Sequence, residues 1–153
     1  MSTIAENIAA IRARIDAAAR LSGRTGADIT LVAATKMNDA ARVREAVAAG
    51  IDACGENRVQ EAKHKQEALG KHGYWHLIGH LQTNKARQAV ALFDLIESVD
   101  SEHLLAAVDK EAERIGKVQD ILLQLNIAHE EQKSGLDLSL IHISEPTRQE
   151  AIS

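Results

Sequence analysis

The chain has 153 residues, of which 45% are hydrophobic and 26% charged, and this composition indicates one soluble globular domain. The formal net charge is -4 with acidic and basic residues interspersed, so nucleic acid is not an expected partner. No apolar run is long enough to span a membrane, the first residues do not resemble a signal peptide, and the single cysteine, Cys54, excludes an internal disulfide. These features predict a cytoplasmic protein.

Helical and strand-like patterns alternate along the chain. Isoleucines recur every three or four residues from Ile4 to Ile15, which predicts a first helix over about residues 3–21. The β-branched, apolar run 29–35 predicts a strand buried on both faces, and Asn38-Asp39 is suited to capping the helix that follows it. Further strands are predicted at 51–54, 75–79, 93–99 and 118–127, and further helices up to Gly50, at 59–69, at 83–92 and from Asp100-Ser101 to Gly116.

This alternation predicts an α/β fold with parallel strands joined by right-handed crossovers. A doubly wound open sheet and a (β/α)₈ barrel both fit the pattern. The chain has no Gly-x-Gly-x-x-Gly after the first strand, which counts against the dinucleotide-binding form of the open sheet. A barrel needs eight strand–helix units, so the five units predicted here would form an incomplete barrel.

Lys36 is a candidate site residue because it stands where the first predicted strand ends. Ligands of parallel α/β proteins sit at such strand ends. Partial desolvation there would disfavour the ammonium form and leave a nucleophilic amine for a carbonyl compound. The alternative is a surface lysine that closes a strand.

Other polar residues also follow predicted strands. If the strands are parallel, these residues lie on one rim and form a candidate ligand site. They are the tight loop Gly55-Glu56-Asn57 with Arg58, the segment from Gly79 through His80 to Lys85, and Asn126.

Other reactive side chains have simpler interpretations. His76 and His80 fall on a strand and the loop after it, without a glutamate at metalloprotease spacing, so no metal site is predicted. Cys54 lies in an apolar run and is interpreted as a small core residue rather than a nucleophile. Lys63 and Lys65 are interpreted as part of a solvated helix face.

Four segments of the chain, in order, form a specific pattern. They are Leu31-Val32-Ala33-Ala34-Thr35-Lys36, Gly55-Glu56-Asn57-Arg58-Val59-Gln60-Glu61, residues 75–85 (Trp-His-Leu-Ile-Gly-His-Leu-Gln-Thr-Asn-Lys), and Leu125-Asn126-Ile127 with Lys133-Ser134-Gly135. These segments closely resemble the pyridoxal phosphate homeostasis protein family. The match runs from the first helix to about Gly135, and Met37-Asn38-Asp39 departs from it without affecting Lys36.

The resemblance implies a (β/α)₈ barrel like the N-terminal domain of alanine racemase, with pyridoxal 5'-phosphate (PLP) held as an imine on Lys36. Asn57, His80 and Asn126 are the other expected cofactor-binding residues. The implied role is a non-catalytic carrier in vitamin B6 and amino-acid homeostasis, with small molecules as partners and a monomeric full-length protein. The alternative is a PLP-dependent racemase-like enzyme with His80 as the nearest candidate base, and a structural or interaction module is third.

Residues 138–153 break the family pattern and resemble the translation of a sequencing-library adapter. We therefore predict a partial PLP-binding barrel over residues 1–137 and a non-native tail over 138–153, a divergent C-terminus being the alternative. The loops after strands 7 and 8, which hold phosphate in such barrels, would then be missing. The expected consequences are weak cofactor binding, unpaired first and fifth strands, and marginal stability.

Overall fold

The computed structural model describes residues 2–70 and 73–139, which form a parallel β-sheet whose consecutive strands are connected by helices. None of the described helices is both long enough and apolar enough to cross a membrane. The strands are β1 (Val32–Ala34), β2 (Ala53–Glu56), β3 (Tyr74–Leu77), β4 (Leu95–Val99) and β5 (Asp120–Leu123), and the helices are α1 (Ile4–Leu21), α2 (Ala40–Ala48), α3 (Val59–Leu69), α4 (Ala86–Leu92) and α5 (Glu102–Arg114).

The strand order decides between the two predicted architectures. It runs β1-β2-β3-β4-β5, and every neighbouring pair is parallel. A doubly wound sheet reverses its order at a switch point, which places helices on both faces. This sheet always steps in one direction, so right-handed crossovers carry α2 to α5 to the same face. The arrangement is that of a barrel wall.

The hydrophobic core lies between the sheet and this helix layer. Trp75 and Phe93, two of the chain's three aromatic side chains, are both fully buried there, and aliphatic side chains and alanines fill the rest. Burial of a side chain such as Leu77 contributes roughly 1.5–3 kcal/mol. Other members of the core are Val43, Cys54, Val59, Ala62, Val90, Ile96, Leu104 and Val108.

The predicted helices are confirmed, and α1, α2 and α5 begin with side-chain caps. The Thr3 side chain accepts a hydrogen bond from the Glu6 N–H, and Glu6 bonds back to the Thr3 N–H. Asp39 accepts from the Arg42 N–H at 2.8 Å, and Ser101 accepts from the Leu104 N–H at 3.2 Å. These local bonds explain why the helices could be placed from sequence alone.

The predicted strands need two corrections. The first strand is not buried on both faces: Val32 and Ala33 are half-buried and Ala34 is exposed. The reason is that β1 lies at an edge of the described sheet, with β2 as its one described neighbour. Gly55 and Glu56, predicted to form a tight loop, belong to β2 instead, because both continue its parallel pairing with β3.

The fifth strand lies at the opposite edge, so among the described residues the prediction that the first and fifth strands are edges is confirmed. Leu122 in β5 is 51% exposed, and Val118 before it is 92% exposed. After β5 the chain returns to pair Leu125 with Leu136 in an isolated parallel bridge. Residues 140–153 lie outside the described residues, so the predicted boundary at residue 137 stays a prediction.

Candidate functional site

The ends of β1 and β2 bring Lys36 and Asn57 to the same edge of the sheet. Ala34 and Gly55 are register partners, and Lys36 and Asn57 each lie two residues further along. Both residues come just after the last residue of their strands, so they follow the carboxyl ends of neighbouring parallel strands. The Thr35 N–H donates to the Gly55 carbonyl at 2.9 Å, which extends the pairing to the residue before Lys36.

Lys36 sits on a tight turn. The Asn38 N–H donates to the Thr35 carbonyl at 3.2 Å, and Met37, between them, has a φ of 61°. This left-handed conformation costs a residue other than glycine roughly 1–2 kcal/mol. The Lys36 side chain is exposed, so the partial desolvation expected from its position is wrong for the described residues. The cause is the edge position of β1, which leaves the turn open to solvent.

A buried ion pair lies directly beneath this turn. Glu56 is 0% exposed, and its Oε1 accepts from the Lys65 Nζ and from the Thr35 Oγ1, each at 2.5 Å. The Lys65 Nζ also donates to the Thr35 carbonyl at 2.7 Å. The other carboxylate oxygen, Glu56 Oε2, is buried without a hydrogen-bond partner in the described part of the chain.

The interpretation of Lys65 as part of a solvated helix face is therefore wrong. Lys65 is buried because it follows Val59 and Ala62 on the face of α3 that packs on the sheet, where Glu56 supplies the opposite charge. The sequence contains one indication of this pair: Lys65 follows Val59 and Ala62 at three-residue intervals, which places it on the apolar face of the helix. Lys63, by contrast, is exposed as expected.

A pocket of about 470 Å³ opens between the β2–α3 and β3–α4 connections. Its size falls within the roughly 300–1,000 Å³ usual for small-molecule sites. Asn57 and His80 line it, so the structure brings these two predicted residues together, whereas Lys36 and Asn126 are not part of its lining. The remaining lining residues are Arg58, Val59, Gln60, Glu61, Leu81, Gln82 and Lys85.

Two contacts shape this pocket. A Cβ added to Gly79 would lie 2.5 Å from the Asn57 carbonyl oxygen, so only glycine permits the close approach of the two connections. The His80 Nδ1 lies 3.1 Å from the Asp100 Oδ2, which fixes the orientation of a ring whose side chain is otherwise 59% exposed. The pocket therefore contains an oriented His80 imidazole, and it is bordered by two connections that approach closely only because residue 79 is glycine.

Asn126 follows β5 at the far edge of the sheet from Lys36. Its Nδ2 donates to the Glu130 carbonyl at 2.9 Å, and its Oδ1 accepts from the Glu130 N–H at 3.3 Å. Both ends of the amide thus hold the loop after β5. The structure does not bring Asn126 together with the other three predicted residues, and its part in binding a cofactor stays a prediction.

The remaining reactive groups are occupied or buried. The His76 Nδ1 lies 2.7 Å from the Glu97 Oε1, apart from the His80–Asp100 pair. Residues 2–70 and 73–139 contain no group of three or more His, Cys, Asp or Glu side chains that could hold a metal ion. Burial raises the pKa of the Cys54 thiol to about 11, with the Glu56 carboxylate adding to the shift. Cys54 is a core residue, as predicted.

Comparisons with known proteins find one family and a consistent set of relatives. The family described as "Alanine racemase, N-terminal domain" matches residues 6–142. The pyridoxal phosphate homeostasis protein of Pseudomonas aeruginosa is 42% identical over 136 residues, which cover 88% of this chain and 59% of that protein. The protein of the same name from Escherichia coli K12 is 38% identical over 144 residues, or 91% of this chain and 61% of that protein.

Solved structures give the same result. PipY of Synechococcus elongatus, solved without PLP, has a TM-score of 0.80 and 38% identity, with 92% of this chain and 62% of PipY covered. PipY with PLP bound has a TM-score of 0.75 and 39% identity, with 88% and 58% covered. The chain thus spans about three fifths of the length of the relatives it matches.

Proposed function

This chain belongs to the alanine racemase N-terminal domain family, and on that premise we propose that it binds PLP and acts in intracellular PLP and amino-acid homeostasis. The described strands and helices form five of the eight strand–helix units of such a barrel, the fifth by its strand. The relatives named above are pyridoxal phosphate homeostasis proteins, and PipY has been solved with PLP bound. These relatives support a role as a cofactor carrier.

The observation that carries the proposal is the position of the Lys36 amine. It lies exposed just after the carboxyl end of β1, next to the strand end that Asn57 follows on β2. An amine in this position is accessible to an aldehyde. The Lys36 nitrogen would attack the PLP aldehyde carbon, a C=N bond would form, and the aldehyde oxygen would leave as water.

The residues around the rim fit parts of PLP beyond its aldehyde. The pocket beside Asn57 is lined by two cationic side chains, Arg58 and Lys85, and by one carboxylate, Glu61, so the net positive charge of its lining favours an anionic group. Asn57 and His80 offer hydrogen-bonding groups at the same rim. In our proposal Lys36 holds the cofactor covalently, Asn57 and His80 contact it, and Asn126 contributes from the far strand.

We propose a non-catalytic role, and one contact favours an alternative. A PLP-dependent racemase-like enzyme needs a base that exchanges the α-proton of an amino acid. His80, oriented by Asp100 at 3.1 Å, has the geometry of such a base. We further propose a cytoplasmic location, which suits the free thiol of Cys54, and a monomeric full-length protein.

Borohydride reduction tests the proposal. The chain is incubated with PLP and reduced, and the label is mapped by peptide mass spectrometry. We expect the label on Lys36, its loss in Lys36→Ala, and no change in Lys63→Ala, which removes an exposed lysine elsewhere. A label distributed over many lysines and unaffected by Lys36→Ala would refute PLP binding at Lys36.

Proton exchange separates the carrier from the enzyme. An amino acid is incubated in deuterated water with the PLP-loaded chain, and loss of its α-hydrogen signal is followed by NMR. A carrier gives no exchange above that of free PLP. Exchange above that level that disappears in His80→Ala would establish the enzyme instead.

A further inference from the structure

We propose that Lys65 and Glu56 are positioning residues that anchor the turn carrying Lys36. The value of this anchor for cofactor capture rests on the proposed function of Lys36, while the anchor itself is a property of the turn. Neither residue reaches the exposed rim, since Lys65 is 8% and Glu56 0% exposed. They act through Thr35, the residue before Lys36.

The Thr35 carbonyl is where the anchor and the turn meet. It accepts the Asn38 N–H at 3.2 Å, which closes the turn around Lys36 and Met37. It also accepts the Lys65 Nζ at 2.7 Å from within the protein. Glu56 Oε1 holds both Lys65 and the Thr35 hydroxyl, so the side chain and the backbone of Thr35 are fixed together.

The turn requires such an anchor because it is strained and because its own two hydrogen bonds, from the Asn38 N–H to the Thr35 carbonyl and from the Asn38 Nδ2 to the Lys36 carbonyl at 3.1 Å, are both local to it. Met37 is 96% exposed at a φ of 61°, so no packing of its side chain offsets the left-handed conformation. A pocket of about 330 Å³ adjoins the turn and is lined by Met37, Asn38 and Lys65 among others. Without the bond from Lys65, the turn could relax into this space.

The energetics of the ion pair point the same way. A buried ion pair contributes little to stability when hydrophobic residues could replace it, since both charges lose their hydration. Here one carboxylate oxygen, Glu56 Oε2, also lacks a partner among the described residues. The Lys65–Glu56 pair is therefore expected to add little to core stability. Because it is bonded to the Thr35 backbone, we assign it the role of positioning Lys36.

Amide-hydrogen exchange tests the anchor without PLP. The variant is Lys65→Met/Glu56→Gln in the full 153-residue chain, which removes both charges so that neither is left buried alone. We expect the Asn38 amide to exchange roughly tenfold faster than in the unmodified chain, with α2 amides such as that of Val43 unchanged. Lys63→Met, two residues away on the exposed face of α3, is the matched control and changes neither.

Lys65→Arg retains a cation and its donors, and we expect it to restore part of the Asn38 protection. Should the double variant fail to fold, Lys65→Arg alone keeps both charges of the pair and is expected to accelerate Asn38 exchange by a smaller factor. Unchanged Asn38 exchange in every folded variant would overturn the proposal.

A second measurement links the anchor to PLP. The rate of borohydride-trapped labelling of Lys36 is expected to fall roughly tenfold in the double variant and to stay unchanged in Lys63→Met. If Lys36 of the unmodified chain takes no label while Asn38 exchange responds as expected, the proposed function fails and the anchor stands. If Lys36 is labelled equally fast in both chains, the positioning role is overturned.

Discussion

Gly79 and Asn57 come from neighbouring connections at the rim, and the backbone of Asn57 occupies the place where a side chain of Gly79 would begin. A Cβ at position 79 would lie 2.5 Å from the Asn57 carbonyl oxygen and 2.7 Å from its Cα. The obstruction is backbone rather than a flexible side chain. The close approach of the two connections that border the pocket of Asn57 and His80 therefore requires glycine at position 79.

Gly79→Ala should destabilise the chain by about 1–3 kcal/mol, because the Asn57 backbone must move. Gly55→Ala is the matched control, since its nearest atoms are the side-chain ends of Ile78 and Val32 at 3.0 Å, and it should cost less. Urea unfolding followed by circular dichroism compares the two. Equal costs, or a greater cost at position 55, would show that the rim tolerates the methyl group.

Met37 tests the strain in the Lys36 turn. Met37→Gly removes the penalty of the positive φ and should leave stability unchanged or raise it by up to about 1 kcal/mol. Met37→Val places a β-branched side chain at the same φ and should lower stability by about 1–2 kcal/mol. Urea midpoints measure both. The idea fails if valine is tolerated as well as methionine.

Cys54 should react slowly with alkylating reagents in the folded chain, because it is buried and its pKa is raised to about 11. Iodoacetamide labelling at pH 8 should be at least about a hundredfold slower than in urea-unfolded chain.

The raised pKa of Cys54 also means that the folded state holds the thiol proton more tightly than the unfolded state. Stability should therefore fall as the pH rises from about 9 towards 11, and Cys54→Ala should lose that dependence. A pH-independent difference between the two chains would contradict this assignment.

The contribution of Asp16 to folding stability is expected to decrease at acid pH. The Gly26 N–H, donating at 2.9 Å, and the Arg20 guanidinium, at 2.8 Å, hold the pKa of Asp16 below its ordinary value of 3.8. The stability that Asp16 contributes should be present above about pH 4 and should be lost as the pH falls through the lowered pKa. The urea midpoint of Asp16→Asn should lie below that of the unmodified chain at pH 7, and the difference should shrink at pH 3. A difference that persists at pH 3 would assign the effect to packing instead.

The exposed edges of the described sheet predict weak PLP binding. The described sheet ends in two edge strands, β1 and β5, and Leu122 and Val118 leave apolar surface exposed near the second edge. We expect weaker imine absorbance at a given PLP concentration than for the Escherichia coli relative, together with concentration-dependent aggregation. A soluble chain that unfolds cooperatively and binds PLP as tightly as that relative would contradict the prediction.

Local chemistry explains what could be predicted from sequence. The helix ends rest on contacts within four residues, such as the bond from the Arg42 N–H to Asp39, and glycines such as Gly50 and Gly116 follow helices with positive φ values of 94° and 64°. The parallel order followed from alternation. Asn57 and His80 line one pocket because they follow neighbouring parallel strands, whose carboxyl ends lie at the same edge. That these residues and Lys36 bind a cofactor stays a prediction.

What was missed depends on contacts between distant elements. The burial of a strand depends on its neighbours in the sheet, so the apolar run 29–35 could not reveal that β1 is an edge. The charge of Lys65 predicts a solvated position, whereas its burial depends on an ion pair with Glu56, a residue that the sequence predicts in a loop. A buried ion pair between a strand and a helix is difficult to predict, because the sequence pattern of either segment alone indicates it only weakly.

The sequential strand order bears on how the chain folds as it is synthesised. Every described strand from β2 onward pairs with the strand that left the ribosome just before it, so none of these four pairings waits for a distant partner. Such short-range pairing lowers the entropic cost of each added unit and favours growth from the N-terminal side. The wall can thus assemble one crossover at a time, with Lys65 docking onto Glu56 and setting the Lys36 turn as soon as α3 has emerged.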